Sequence, residues 1–432
     1  MRNAEFDRFR IPNSEFRIWH AHGLHGQAMK QAARKQLERE KAAFPKVTPP
    51  CPYVGACGGC TLQDLALLDQ LAIKRGWVER ALAPFSPPQP VEIVPLEDPW
   101  RYRNKAEFTF GDAAGALTLG YHRSGSYWRI VDIDDCLLLP EAACRIARTL
   151  LELAAQTGQA AYHATSHQGF FRYLLLRASH ATGRVLVCLM TSSGPRDIAE
   201  RLGRELARRH PDVAGFSWGV TDKLADIAVP DSLVHIAGAE RLEERIGPFE
   251  IELSPFSFLQ PSVVQADRIY QRLRRACEPA GRGTAWDLYC GLGLISFYLA
   301  GTFAKVYGID TEPHNIELAR QNAAKNGVRN AEFRVGKAEE LLMERRFWLQ
   351  EARPDLIVID PPRAGLHPHV VSTLLAARPA RLAYLSCNLQ SLARDLALLG
   401  SGYPRYRIAE VAAFDMFPQT SHLETLVILD RA

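Results

Sequence analysis

The spacing of apolar and polar positions changes rhythm along this chain, and each change marks an expected unit. The stretch around 20–43, containing "QAMKQAARKQLEREKAAF", is rich in helix formers and carries only a thin apolar stripe. It reads as a solvated helix that ends at "FPKVTPP". A second helical pattern, "LQDLALLDQLAIKRGWVERAL", covers 62–82, and the proline-rich "APFSPPQP" at 83–90 reads as a linker. From about 91 to 250 the rhythm becomes that of strands, as in "KAEFTFG", "RYLLLRAS" and "GRVLVCLM", with helical patterns at 140–157 and 195–210. That mixture predicts an α+β middle domain.

After 280 strands and helices alternate. "TAWDLY" runs into "GLISFYLAG", "KVYGID" into "NIELARQNAAKNG", and "AEFRVG" into "AEELLMERRFWL". "DLIVID" then stands before "PPRAGL", and "RLAYLSC" before "SLARDLALLG". Alternation of this kind predicts a parallel sheet with helices on both faces, an α/β doubly wound domain. The expected order is a basic leader (1–50), a cysteine-rich segment with its linker (51–90), the middle domain (91–255) and the α/β domain (256–432).

Composition sharpens the picture at two places. Formal charge is only +4, yet residues 1–50 hold ten Lys and Arg against five Asp and Glu. A basic leader on a near-balanced body suits a polyanionic partner, and so do middle-domain strands that mix Arg with aromatics: "WRYRNKAEF", "GYHRSGSYWR" and "FFRYLLLR". The start "MRNAEFDRFR" lacks the apolar core of a secretion signal, and no stretch reaches the roughly 18 apolar residues of a membrane span. The expectation is a cytoplasmic protein with no membrane partner. Nine cysteines in such a chain point to metal binding or catalysis before disulfides.

Candidate chemistry gathers at the ends of the later strands. Asp287 closes one strand, and Gly291 and Gly293 follow in "DLYCGLGLIS", where glycines allow a tight turn and close approach of a ligand. Asp310 closes the next strand and can accept hydrogen bonds from ribose hydroxyls. The pair predicts an adenosine-containing cofactor. The full dinucleotide fingerprint is missing, with Ser296 where its third glycine would stand, which favours S-adenosylmethionine. Asp360 is held by the two prolines of "IDPPRAGL" at the same sheet edge, and the fifth strand delivers Cys387 there. A cysteine just before a helix, with Asn388 or Ser391 as cap, is expected to have a lowered pKa. Such a thiolate can add to carbon 6 of uracil, which makes carbon 5 nucleophilic toward a sulfonium methyl.

Together "SCNLQSLARDL", "IDPPRAGL", "DLYCGLGLIS", "FSFLQ" and "DMFPQTSHLETLVIL" resemble the RNA 5-methyluridine methyltransferases, in that family's order, over about 51–432. The resemblance implies Cys387 as nucleophile, Glu424 as general base and Asp360 as the residue positioning uracil. It also implies a cofactor site built from Gln260, Asp287, Tyr289, Gly291, Gly293, Asp310 and Asp360. The chain departs from the family's habit at Leu389, Ser262 and Lys337. Independently, a Glu opening the apolar "LETLVIL" invites a raised pKa, useful in a base.

Cys51, Cys57 and Cys60 follow C-x5-C-x2-C, and Cys136 in "VDIDDCLLLP" is a distant fourth. Four thiolates suit tetrahedral zinc or an iron-sulfur cube, and spacing alone leans to zinc. The resemblance implies a 4Fe-4S cluster with a structural role, as in the iron-sulfur branch acting on 23S ribosomal RNA. Cys144, Cys188, Cys277 and Cys290 read as packing residues. Ribosomal RNA is the first expected substrate and transfer RNA the second, with the protein acting as a monomer. Two rivals are a methyltransferase acting on an exocyclic or amide nitrogen, which needs no thiol, and a non-catalytic RNA-binding or ribosome-assembly module.

Overall fold

The computed structural model describes residues 24–432 apart from 127, 225–226, 279–282 and 342–353. The leader before 24 and most of the helix expected in "AEELLMERRFWL" lie outside the described residues. Helix α1 (Leu24–Lys41) is followed by the cysteine segment and by α2 (Leu67–Leu82), and then by strand β1 (Glu92–Val94).

The middle sheet comprises β2 (Lys105–Ala113), β3 (Ala116–His122), β4 (Ile130–Asp132), β5 (Phe171–Ala178), β6 (Val185–Thr191), β7 (Val213–Val220) and β8 (Ser232–Gly238), in the order β4-β3-β2-β5-β6-β7-β8. Helices α3 (Glu141–Ala155) and α4 (Arg196–Arg209) supply Ile146, Leu150, Leu202 and Leu206 to a core shared with Phe108, Leu174 and Val187. Every residue of β5 and β6 is buried. The arginines of "FFRYLLLR" therefore do not face a nucleic acid. Arg172 donates to the carbonyls of Thr221 and Lys223, both at 2.8 Å, and Arg177 donates to the carbonyl of Ser257. The sequence pattern misled here because a buried guanidinium satisfied by carbonyls looks, in one dimension, like a phosphate contact.

A hairpin of β9 (Leu242–Ile246) and β10 (Phe249–Leu253) leads into α5 (Val263–Ala276). Alternation follows: β11 (Thr284–Leu288), α6 (Leu294–Ala300), β12 (Lys305–Asp310), α7 (Pro313–Lys325), β13 (Ala331–Val335), the single turn α8 (Ala338–Leu341), β14 (Leu356–Ile359), α9 (Pro368–Ala377), β15 (Arg381–Ser386) and α10 (Leu389–Ser401). The chain closes with β16 (Tyr406–Phe414) and β17 (Glu424–Arg431). The sheet order is β1-β16-β17-β15-β14-β11-β12-β13, parallel from β15 to β13, with β17 inserted antiparallel to both β15 and β16. Both faces are covered, as continuous apolar strands such as "LIVI" require. One face packs on α5, α6 and α7, and the other on α2, α9 and α10.

The two sheets divide the chain differently from the linear expectation of a middle domain spanning 91–255. Strand β1 pairs parallel with β16 in the α/β sheet, and Leu242, Ile246, Ile251 and Leu253 of the β9–β10 hairpin join the α/β core. Strand order reverses at β11, which has β12 on one side and β14 on the other. A crevice outside the carboxyl ends of strands at such a reversal is where open α/β sheets take ligands.

Candidate active site

Asp287 leaves β11 fully buried, and its Oδ2 accepts from the amide (2.9 Å) and hydroxyl (2.7 Å) of Ser296 in α6. Its other oxygen, Oδ1, is buried without a partner among the described residues, and burial pushes the carboxyl up to about 7. The loop between them is bent by three residues with positive φ: Tyr289 at 66°, Gly291 at 51° and Gly293 at 80°. A methyl group at Gly293 would stand 2.7 Å from the Phe333 ring, whereas nothing lies within 4 Å of one at Gly291. Gly293 is therefore required by packing, while Gly291 borders open space. Asp310, at the end of β12, accepts from the Gly291 amide on Oδ2 and the Glu312 amide on Oδ1, both at 2.9 Å. Each oxygen keeps a further lone pair for an incoming hydroxyl.

Gln260 is buried in the loop before α5, and the middle sheet fixes that loop. Asn104 Nδ2 donates to the Gln260 carbonyl at 2.7 Å, the Asn104 amide donates to Pro261 at 3.1 Å, and Arg177 holds Ser257. Ser262, where the family's habit is different, caps α5 by accepting from the Gln265 amide at 3.3 Å.

The chemical groups meet at the ends of β14, β15 and β17. Ser386 pairs with Thr425 across the antiparallel β15 and β17, so the thiol after one strand end meets the carboxyl at the start of the other. Glu424 is 2 % exposed. Burial first, and then the Asp360 charge, hold its carboxyl well above the usual range against the opposing pull of Arg363. Burial likewise pushes Asp360 up to about 7. Buried Tyr270 of α5 feels the charges of Asp360, Asp287 and Glu424, so the cofactor-side and thiol-side carboxylates lie around one side chain.

Cys387 is half-buried, and its thiol stands at about 11, raised mainly by burial and next by Glu424. This corrects the expectation of a lowered pKa. Asn388 does cap α10, accepting from the Gln390 amide at 3.0 Å, but desolvation and two carboxylates outweigh the helix end. The countervailing group is Arg363, whose guanidinium donates to the thiol and, at 2.9 Å, to His422 Nδ1. Burial lowers His422 to about 4, so a neutral imidazole accepts that bond. Asn388 Nδ2 ties the Arg363 carbonyl to the same corner at 2.9 Å. Arg363 and His422 were not singled out from sequence as site residues. The available signals were the position of Arg363 directly after the two prolines and the spacing of two between His422 and Glu424, which puts both on one face of an extended chain.

The cysteine segment is stitched to both neighbours. Cys57 bridges Arg123, Ser124 donates to Ala56 at 2.8 Å, and the Thr61 and Leu62 amides both donate to Gln419 at 3.0 Å. Cys51, Cys57, Cys60 and Cys136 are free, half-buried thiols in one neighbourhood. Burial pushes Cys60 up to about 12, and the charges of Cys136, Cys57 and Cys51 add to that rise. Among the described residues, however, no three His, Cys, Asp or Glu side chains stand in an arrangement that could hold a metal ion. The expected ligand set is gathered without being formed into a site. Cys144, expected to be a packing residue, lies against Cys136, whose amide donates to its sulfur at 3.4 Å.

A parallel sheet with this order reversal, a glycine turn after the first strand and an acid after the second is an α/β arrangement that takes adenosine-containing cofactors, S-adenosylmethionine among them. The orphaned Asp287 oxygen and the open side of Gly291 fit that cofactor. Residues 247–432 match the family described as tRNA (uracil-5-)-methyltransferase. An RNA methyltransferase of Enterococcus faecalis is 36% identical over 398 residues, covering 91% of this chain and 86% of that protein. One from Listeria monocytogenes is 34% identical, covering 89% and 84%. The crystal structure of the Pyrococcus abyssi tRNA (uracil-54, C5)-methyltransferase with S-adenosyl-L-homocysteine superposes with a TM-score of 0.71 at 30% identity, covering 87% of this chain and 86% of that one. The chain belongs to the RNA uracil-5-methyltransferase family and is an enzyme of that class.

Proposed function

We propose that the protein methylates carbon 5 of one uridine in large-subunit ribosomal RNA, with Cys387 as nucleophile, Glu424 as general base and Asp360 positioning the base. The observation carrying this reading is the opposition of Cys387 and Glu424 across the β15–β17 register, beside Asp360. Cys387, once its thiol has lost its proton to solvent, bonds through sulfur to carbon 6, and the electron pair of the 5,6 double bond moves onto carbon 5 and the carbonyl oxygen at carbon 4. Gln260, Tyr289, Gly291, Gly293 and Asp310 would hold S-adenosylmethionine, which would supply the methyl group to that carbon and depart as S-adenosylhomocysteine. Glu424 then removes the carbon 5 proton, the double bond re-forms, and the thiolate leaves. The raised carboxyl of Glu424 makes its ionised form a stronger acceptor for the carbon 5 proton.

The thiol at about 11 adds a requirement, because the nucleophile is protonated in the free protein. Arg363, steadied by neutral His422, is the cation that favours the thiolate. Cys51, Cys57, Cys60 and Cys136 are proposed to bind a 4Fe-4S cluster in a structural role. The support is their spacing and their mutual electrostatic contact, and the four must draw together on loading. Zinc is the alternative to be scored by metal analysis of anaerobically purified protein.

Ribosomal RNA is preferred on the cysteine pattern. The tRNA specificity in the name of the Pyrococcus neighbour favours transfer RNA as a second reading. Incubation with labelled S-adenosylmethionine and unmodified total RNA, followed by mass spectrometry of nuclease fragments, decides between them. A 5-methyluridine in a large-subunit fragment supports the first reading, one in transfer RNA replaces it by the second, and no incorporation refutes both.

A further inference from the structure

The cysteine segment lies between two features that the methyl-transfer chemistry does not use. On one side is the tip of the β3–β4 hairpin, with Trp128 68% exposed and Arg123 and Arg129 exposed on the same short loop. On the other is α1, which presents exposed Arg34 and Lys35. These are not separate patches. Arg34 donates to the Ser124 hydroxyl at 3.3 Å, and the Gly58 amide donates to His122 at 3.3 Å. The helix itself is anchored at its far end, where Leu37 packs toward Leu62 and Ile73 and Lys41 pairs with Asp64 at 2.9 Å.

Charge on this face is unbalanced. Among the described residues Arg34, Lys35, Arg123 and Arg129 pair with no carboxylate, whereas the neighbouring acids are already engaged. Asp132 and Asp134 are held by Arg148 at 2.9 and 3.1 Å, and Glu38 is held by Lys41 at 3.0 Å. An indole standing out of water-exposed loop backbone beside unpaired guanidinium groups is an arrangement that suits a base stacked between phosphates. The face also leads to the chemistry. Through Thr61 and Leu62 the cysteine segment bonds to Gln419, in the loop that carries His422 and leads into β17 at Glu424.

We propose that α1, the 51–60 segment and the β3–β4 tip form one docking surface for single-stranded RNA flanking the target uridine, with Trp128 as a stacking platform and Arg34, Arg123 and Arg129 as phosphate contacts. The proposal deepens the reading of the protein as an RNA uracil methyltransferase by naming the form of RNA and where it lies. It also gives α1, the described helix of the basic leader, a purpose at this surface.

The test titrates the full-length protein with a fluorescent oligouridine of roughly 16 nucleotides over a series of salt concentrations. Trp128→Ala is expected to weaken binding roughly tenfold. Arg123→Glu with Arg129→Glu is expected to flatten the log-log salt dependence by about one or more. Affinity for S-adenosylhomocysteine checks that each variant is folded. A variant that fails that check is replaced by photocrosslinking of unaltered protein to oligouridine containing 4-thiouridine, with adducts expected in the peptide spanning 122–129. Wild-type affinity and salt slope in folded variants, crosslinks confined to other peptides, or equal binding of a duplex of the same length would overturn the proposal. Because binding is read without methyl transfer, inactivity of Cys387 would refute the proposed chemistry and leave this test standing.

Discussion

At the scale of single residues the proposed chemistry turns on a thiol that is harder to ionise than an ordinary cysteine. With Cys387 at about 11, its thiolate fraction in the free protein grows about tenfold for each unit of pH from about pH 7 to about pH 10. Alkylation of Cys387 by iodoacetamide, followed by peptide mass spectrometry, should accelerate accordingly, and a rate flat across that range would show a thiolate already present. Cys387→Ala should abolish methylation while RNA affinity holds. Glu424→Gln should instead accumulate a covalent protein–RNA adduct visible on a denaturing gel, since proton removal comes last. Normal product release by Glu424→Gln would assign the base elsewhere. Cys387 and Glu424 stood out in the sequence because they sit in distinctive motifs, and the fold brings the two side chains together. The direction of the thiol's shift was not, because it depends on which carboxylates fold against it.

At the scale of elements, the β11–α6 turn shows why two glycines in one motif are unequal. Both have positive φ, yet only Gly293 has the Phe333 ring against it. Gly293→Ala should cost about 1–3 kcal/mol and most of the S-adenosylhomocysteine affinity, whereas Gly291→Ala should keep the fold and lose less. Calorimetric titration of both variants compares them directly. The alternating pattern after 280 identified these strands and helices, since apolar runs bounded by glycines leave little choice. Strand β17 was less legible: its apolar sequence does not reveal that it slots antiparallel between β15 and β16, the placement that sets Glu424 opposite Cys387.

For the whole molecule, the fully buried pair Lys74–Asp415, 2.5 Å apart, fastens α2 to the loop before β17. Lys74 also donates to the Phe417 carbonyl at 3.1 Å. Lys74→Met would leave Asp415 buried and unpaired, at an expected loss of about 3–5 kcal/mol in urea unfolding. Adding Asp415→Leu should restore most of that loss, and a double variant as unstable as the single one would mean that packing rather than charge sets the effect. The same fastening supports the site, because the loop after Asp415 runs through Gln419 and His422 to Glu424. Arg177 does comparable service from the middle sheet by gripping the Gln260 loop.

Local sequence was enough to determine the α/β alternation and the glycine turn with its acidic neighbours Asp287 and Asp310. These follow from short-range rules of periodicity, φ and strand ends, all of which act within about one element. Tertiary structure alone decided that β1 belongs to the α/β sheet, that the arginines of β5 are internal, and that Arg363 and His422 stand at the thiol. It also decided that four cysteines share a neighbourhood without forming a ready site. Each of these depends on contacts between segments far apart in the chain, where burial and opposing charges fix both position and protonation.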